Sequence, residues 1–314
     1  MMRGYVLRRL LLIIPTLLLL VLGTQFLATL APGDPAENYA RLHSTSGVAT
    51  PAQIAHARVL LGLNRPFFVR YVAWIAGAVH GDLGVSFTRN THVAAEIGSR
   101  LGATLELALT ALGLTIIVAT PLGAFAAMRH GSWFDHTLRA GSLLLASIPG
   151  FFLAYVLIEV FGTQLNLLPV AGREEASSIV LPAVALSAGG IATASRLLRA
   201  SMLEVLGEDY IRTARGKGLS SVRVVARHAL PNAALPVITV LGTLLGYLLA
   251  GSVVIETVFA WPGVGQLLAE AVAERDYPTI QGLVVIAGAF FLIINLLVDL
   301  SYRFLDPRVR LAKQ

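Results

Sequence analysis

Cysteine is absent from all 314 residues. That removes disulfide frameworks and zinc–thiolate sites and leaves the redox compartment open. Charge is scarce too. Only 13% of residues are Asp, Glu, Lys or Arg, against about 25% in an average soluble domain, which excludes an ordinary globular protein. Motifs that carry chemistry are also missing. No Gly-x-x-x-x-Gly-Lys-Ser/Thr occurs, because Lys217 is followed by Gly218, so there is no P-loop. No nucleophile elbow or His-Glu-x-x-His is present. The chain is expected to hydrolyse no nucleotide and to do no covalent chemistry. Any active transport must draw its energy from elsewhere.

What is abundant is apolar surface. Hydrophobic residues make up 56% of the chain and the mean hydropathy is +0.74. This composition indicates an all-α polytopic membrane protein. Six apolar runs, 10–30, 101–128, 140–162, 179–195, 235–255 and 280–298, are each expected to form a transmembrane helix. The first follows Arg3, Arg8 and Arg9, as the core of a signal peptide would. It exceeds the roughly 7–15 residues of such a core, and five more runs follow, so a retained span is expected. Pro121, Pro149-Gly150, Pro182 and Gly189-Gly190 fall inside spans. Such breakers survive where neighbouring helices satisfy the freed backbone groups. Gly242 and Gly246 form a GxxxG pair that allows close helix contact.

Along the chain we expect an N-terminal span (1–30), an extracytoplasmic helical insert (31–100), a five-helix core (101–303) and a cytoplasmic tail (304–314). Within the insert, Gly33-Asp-Pro35 reads as a turn. Thr50-Pro51 with Gln53 reads as a capped helix start. The spacing of Phe67, Val69, Tyr71, Val72, Ile75 and Val79 predicts an amphipathic helix, ended by Gly81-Asp-Leu-Gly84. The insert is too short to bury a core alone.

Charge placement sets the expected topology. The N-terminus, the 129–139 loop, the 196–228 loop and the tail carry sixteen of the 24 Lys and Arg. The short loops on the other side carry Arg173 and Arg275 alone. The positive-inside rule places both termini in the cytoplasm.

The stretch 210–236 is the one basic, hinged segment between two apolar runs. It carries Arg212, Arg215, Lys217, Arg223 and Arg227. A helix is expected up to Lys217, a break at Gly218, and a second helix 222–230 capped by Ser220 or Ser221 and ended by Pro231. Val222, Val225, Ala226 and Ala229 would form its apolar stripe, with Arg223 and Arg227 together on another side. A short amphipathic helix standing free below the membrane suits a groove on a partner. The plainer alternative is that these cations fix topology or bind anionic lipid. A DNA-binding helix-turn-helix has no room for its other helices, so no nucleic-acid partner is expected.

The spacing adds a resemblance. Gly218, nine residues, then His228-Ala-Leu-Pro231 resembles the inner loop of permease subunits of ABC importers. Tyr210-Ile-x-Thr213-Ala214-Arg215-x-Lys217-Gly218-Leu219-Ser220 with Arg227-His-Ala-Leu-Pro-Asn-Ala233 resembles the dipeptide/oligopeptide/nickel class. Arg212 stands where other branches carry the loop's glutamate. Further matches run along nearly the whole chain: Leu61-Gly-Leu-Asn-Arg-Pro66, Gly81-Asp-Leu-Gly84, Ala103-Thr-Leu-Glu-Leu107, Arg199-Ala-Ser-Met202, Glu256-Thr-Val-Phe-Ala-Trp-Pro-Gly-Val-Gly265, Asp276-Tyr-Pro278 and Asn295-Leu-Leu-Val-Asp299.

The resemblance implies a type I importer transmembrane domain forming half of a pore. Its partners would be a second homologous permease subunit, two ABC ATPase subunits, an extracytoplasmic solute-binding protein and membrane lipid. This chain would bind no cofactor; ATP and Mg would sit on the partner subunits. The loop 204–234 would couple them, through Tyr210, Thr213, Ala214, Arg215, Lys217, Gly218, Leu219, Ser220, Arg227, His228 and Pro231. The stretch 33–42 resembles nickel permeases more than dipeptide ones, so a nickel ion or chelate is the expected solute, with dipeptides as the alternative. A stand-alone secondary transporter, weakened by the lack of an inverted repeat, and a membrane scaffold are the competing classes.

Three intramembrane carboxylates remain. Glu106 and Glu159 fall near outer span ends, where a shared anionic ring would favour a cationic solute; solvation at the interface is the plainer reading. Asp299 falls near an inner end and is expected to be solvated. His43, His56, His80 and His92 lie in the insert without an i, i+4 pair, so no metal site is expected.

Overall fold

The computed structural model describes residues 2–30, 33–44 and 47–305. Among these residues the regular structure is helical, with one isolated bridge between Val85 and His92. The helices are α1 (Met2–Leu30), α2 (Pro35–Leu42), α3 (Pro51–Leu60), α4 (Phe67–Val79), α5 (Val93–Met128), α6 (Trp133–Ser147) and α7 (Gly150–Leu157). They continue as α8 (Val180–Leu206), α9 (Asp209–Gly216), α10 (Ser221–Val224), α11 (Leu230–Val258), α12 (Val264–Glu274) and α13 (Tyr277–Leu305). The expected tail beyond residue 305 and the side chain of Asp299 lie outside the described residues.

Among the described residues, five helical stretches are long and apolar enough to cross a membrane: Leu11–Leu30, Val93–Met128, Ala176–Leu206, Ser221–Gly246 and Tyr277–Leu297. A sixth arises if Trp133–Ser147 and Gly150–Gln164 form one span. The third span expected over 140–162, with Pro149-Gly150 as its breaker, falls on that pair, which bends by 99°. The cause is local. A proline ring forces the residue before it out of the helical region, and Ile148, ahead of Pro149, is extended (φ −82, ψ 122). Gly189-Gly190 do not interrupt α8, and Pro182 sits in its first turn, where a missing N–H has no partner to lose.

The contacts group the chain into two compact units. One comprises Met1–Ala103 and Pro262–Leu292, the other Thr104–Trp261 and Ile293–Gln314.

In the first unit the Gly33-Asp-Pro turn opens helix α2. Asp34 accepts from the Ala36 N–H at 3.0 Å and Pro35 takes the first helical position. Partial burial acts to raise the Asp34 pKa, but bonds from Arg58 and the Ala36 N–H outweigh it and hold the carboxyl below its usual range. Its stabilising share is therefore present above the unfolded carboxylate pKa and fades as pH falls through the lowered value. Helix α3 starts with the full capping box between Thr50 and Gln53. Ala36, Ala40 and Ala57 pack α2 on α3.

The rest of the insert shares its core with later segments: Leu83, Val93 and Ile97 meet Leu267 and Leu283. Helix α12, not expected from the pattern, supplies Leu267. Buried Asp276 accepts from Ser86 Oγ (2.6 Å), the Phe87 N–H (2.9 Å) and Thr279 Oγ1 (2.7 Å). It pins the loop after α4 to the start of α13.

In the second unit α8 is the hub, packing on α6, α7 and α11. Helix α5 also comes close to it: a Cβ on Gly123 would stand 2.7 Å from the Ser195 carbonyl oxygen and 3.0 Å from Leu198 Cβ. Backbone cannot step aside as a side-chain tip can. Gly123→Val is expected to destabilise the fold by about 1–3 kcal/mol. Unfolding of the purified protein in detergent checks this; an unchanged midpoint would disprove the close approach.

Candidate functional site

The segment between α8 and α11 folds as two short helices around a left-handed glycine. Asp209 occupies the first turn of α9 and Arg215 its last, each with the sign that favours its end of the helix dipole. Lys217 closes the helix, donating its N–H to the Thr213 carbonyl at 3.1 Å. Gly218 follows with φ +77, its N–H donating to the Arg215 carbonyl at 2.9 Å. This is a left-handed helix stop of the kind glycine favours. Leu219 then tucks against the apolar cluster below, the hydrophobic contact that accompanies such stops.

Beyond Gly218, two expectations are corrected. Pro231 does not end the second helix. The backbone runs from Ser221 through a π-helical turn at Val225–Ala229 straight into Leu230–Val258. The wider turn accommodates a ring that would clash with the carbonyl four residues back in a regular helix. The cap also differs: Ser220 stands at the N-cap, yet its side chain makes no capping bond.

The apolar stripe is different as well. Val224 and Ala229 are buried, whereas Val222 is 71% exposed and Ala226 is exposed. Nor does the segment stand free. Ile211, Ala214, Val224 and Ala229 pack into one cluster with Ala127 of α5 and Leu198 and Met202 of α8. One face is thus anchored on the spans.

The opposite face is open. Tyr210, Arg212, Thr213, Arg215, Lys217 and Gly218 are exposed on the first limb, and Ser220, Arg223, Arg227 and Pro231 on the second. Leu219 and His228 are half-buried, and Ala214 is buried. A Cβ on Gly218 would meet nothing within 4 Å. The loop therefore presents a cationic surface with a notch at Gly218, carried on a rigid apolar footing.

The span-end carboxylates are not brought together by any bond between them. Glu106 accepts from Arg173 Nε at 2.9 Å and from Nη2 at 2.5 Å. Arg173 in turn lies 5.7 Å from the centre of the buried Trp261 ring. Glu159 sits in the π-helical segment Ile158–Gln164 and accepts from Gln164 Nε2 at 3.1 Å. Arg173 was missed as a site residue; its signal was its rarity among short-loop arginines. Glu106 lies 21 residues before Ala127 on α5, about 30 Å along the helix. The Glu106–Arg173 pair and the cationic loop are thus at opposite ends of one element.

A third cluster joins the loop's footing. Buried Asp135 accepts from Arg199 Nε and from Arg199 Nη2 (2.6 Å), and from the Gly131 N–H (3.1 Å). It ties the start of α6 to α8 at Arg199, next to Leu198 and three residues before Met202. Among the described residues, no group of three or more His, Asp or Glu is arranged to hold a metal ion.

Comparison with known proteins gives the family and the fold. Residues 119–311 match the family described as binding-protein-dependent transport system inner membrane component, and residues 1–108 match the corresponding N-terminal family. The dipeptide transport system permease protein DppB of Escherichia coli (strain K12) is 39% identical, with 99% of this chain and all of that protein covered. The glutathione transport system permease protein GsiC of the same strain is also 39% identical, over 98% of this chain and 99% of that protein. Among solved structures, the inward-facing MetNI methionine ABC transporter matches with a TM-score of 0.57 at 18% identity, covering 67% of this chain and 96% of that one. An amino acid ABC transporter with histidines matches at 0.52 and 16% identity, covering 67% and 94%. These two likenesses establish the fold.

Proposed function

The chain belongs to the binding-protein-dependent transport system inner membrane components and is a multi-pass ABC importer permease subunit, and from that premise we propose that it forms half of a pathway for short peptides. ATP hydrolysis belongs to separate subunits. The observation that carries the mechanism is the loop's two-faced burial. A cationic face with an open glycine notch is what an ATPase subunit can grip. The anchored face passes the movement to α5 and α8 through packed side chains, and Ser221–Val258 passes it into α11 as one continuous helix.

In this reading both termini are cytoplasmic and the insert faces an extracytoplasmic binding protein. A second permease chain completes the pore. ATP and Mg are bound by the ATPases, and this chain binds no cofactor. The preference for nickel finds no support in the relatives' names, which speak of dipeptide and glutathione; the peptide alternative does. Glu106, paired with Arg173, also suits a peptide better than a bare metal cation. The pair offers a carboxylate to an ammonium terminus and a guanidinium to a carboxylate terminus. Glu159 is the second pathway carboxylate.

Uptake by the whole complex in proteoliposomes, supplied with its binding protein, tests this. We expect ATP-dependent accumulation of labelled dipeptide, competed by unlabelled peptide and not by nickel–histidine. Preference for nickel–histidine would overturn the solute. Uptake on an ion gradient without ATP would overturn the mechanism.

A further inference from the structure

Within the first compact unit, the insert with its helix α4, α1 and the start of α13 line an open cavity of about 760 Å³. That size falls within the range of small-molecule sites. Four side chains lining it carry a buried polar atom with no hydrogen-bond partner among the described residues: Gln25 Oε1, Arg70 Nε, Trp74 Nε1 and Gln281 Nε2. Gln25 is only 8% exposed. Buried polar groups are almost always paired, because an unpaired one bears its full desolvation penalty. Four in one cavity, drawn from three separate helices, make a set of groups arranged for a guest.

The chemistry of the set is specific. Three of the four atoms donate and one accepts. The wall is also cationic. Arg58, Arg65 and Arg70 line it against the single carboxylate of Asp34, which Arg58 already engages at 2.5 Å. Three convergent donors beside uncompensated positive charge fit the oxygens of a phosphate group. The lone acceptor asks for a guest that also carries an O–H or N–H.

The surroundings indicate where that phosphate comes from. Gln25 lies five residues before the end of α1, about 7 Å along the helix. Its neighbours Phe26, Leu27 and Leu30 are exposed apolar residues on a membrane span, and Val69 and Val72 of α4 are exposed likewise. Trp74 is the residue type enriched at the membrane–water boundary. The cavity thus opens where an apolar span passes into a polar insert.

We propose that this cavity binds the phosphate of a phospholipid headgroup that also bears a hydrogen-bond donor, such as glycerol or ethanolamine. Arg70, Trp74 and Gln281 donate to the phosphate oxygens, and Gln25 Oε1 accepts from the headgroup's hydroxyl or ammonium. The lipid then acts as a wedge that fixes the insert on α1 and α13.

Native mass spectrometry of the intact complex, titrated with short-chain phosphatidylglycerol, phosphatidylethanolamine, phosphatidylcholine and inorganic phosphate, tests this. Phosphatidylglycerol and phosphatidylethanolamine should bind more tightly than phosphatidylcholine, whose headgroup has no donor. Trp74→Phe, which keeps the ring packing, and Arg70→Gln should each weaken them about tenfold or more. Gln25→Leu should erase the preference over phosphatidylcholine. Lipid binding unchanged by Trp74→Phe and Arg70→Gln, or no discrimination against phosphatidylcholine, would overturn the site. Inorganic phosphate binding as tightly as lipid would keep the phosphate site and overturn its lipid occupant. Because binding is read without ATP or solute, its failure is distinct from failure of the transport reading.

Discussion

Gly218→Trp should abolish ATP-driven uptake while leaving the protein inserted and folded. The expectation rests on two facts about one residue. Its φ is +77, where a side chain is strained by about 1–2 kcal/mol. A Cβ there meets nothing of this chain within 4 Å. The indole would therefore project outward from the loop, into the space the proposal gives to an ATPase subunit. Loss of a docking anchor worth about 2 kcal/mol corresponds to a fall of roughly 30-fold in productive assembly. Gly218→Asn separates conformation from bulk. Asparagine accepts left-handed geometry better than other side chains, so it should retain most uptake. The readouts are uptake and ATP hydrolysis in proteoliposomes, beside the melting midpoint of the assembled complex. Normal uptake by the tryptophan variant would remove the loop from the coupling path. Equal loss in both variants would point to strain instead of docking.

How much of this could be read in advance varies with the reach of the interaction. Thr50, Pro51 and Gln53 announce the start of α3 because a helix cap is written within four residues. The periodicity of 67–79 gives α4 to the residue. Gly218 was legible as the hinge for the same reason. Pro231 misled, since a proline is locally a helix stop and only the π turn upstream lets the helix run on through it. Pro149-Gly150 was legible as a breaker for the same local reason, since the proline ring sets the extended Ile148 ahead of it, but the 99° size of the bend was not.

The anchored face of the loop between α8 and α11 was invisible to pattern. Val222 and Val224 look alike in sequence, and only the approach of α5 and α8 buries one and exposes the other. The cavity groups are the extreme case. Gln25 and Gln281 are 256 positions apart, and each by itself is an unremarkable amide in an apolar run.

The joint between Asp135 and Arg199, 64 positions apart, carries the largest expected effect on stability. The Asp135 side chain is 1% exposed and the Arg199 side chain 13%. The carboxylate is further held by the Gly131 N–H, and Asp135's own N–H donates to Ser132 Oγ. His130 Nδ1 stands 3.3 Å from Asp135 Oδ2 and 3.2 Å from Arg199 Nη2. Its exposed ring is a weak substitute for either partner, so removing one leaves the other buried with its counter-ion gone, which costs about 3–5 kcal/mol. Asp135→Asn or Arg199→Met alone should each destabilise by that amount. The double variant should lose much less than the sum, because no orphaned charge remains. The pair Asp209–Arg212 is the control. Both its side chains are largely exposed, so breaking it should cost no more than about 0.5 kcal/mol. Equilibrium unfolding in mixed detergent of the wild type, the two single variants and the double gives the cycle, with the surface-pair variant measured beside it.

The consequence reaches transport. Arg199 follows Leu198 and precedes Met202 on α8, and both pack in one cluster with Ile211, Ala214, Val224 and Ala229 of the loop proposed to couple. A loosened joint lets the loop's footing yield when the ATPases close. Single variants that remain folded should therefore hydrolyse ATP with uptake reduced relative to hydrolysis. If they unfold no more readily than the surface pair, or keep full coupling, the footing lies elsewhere in the bundle.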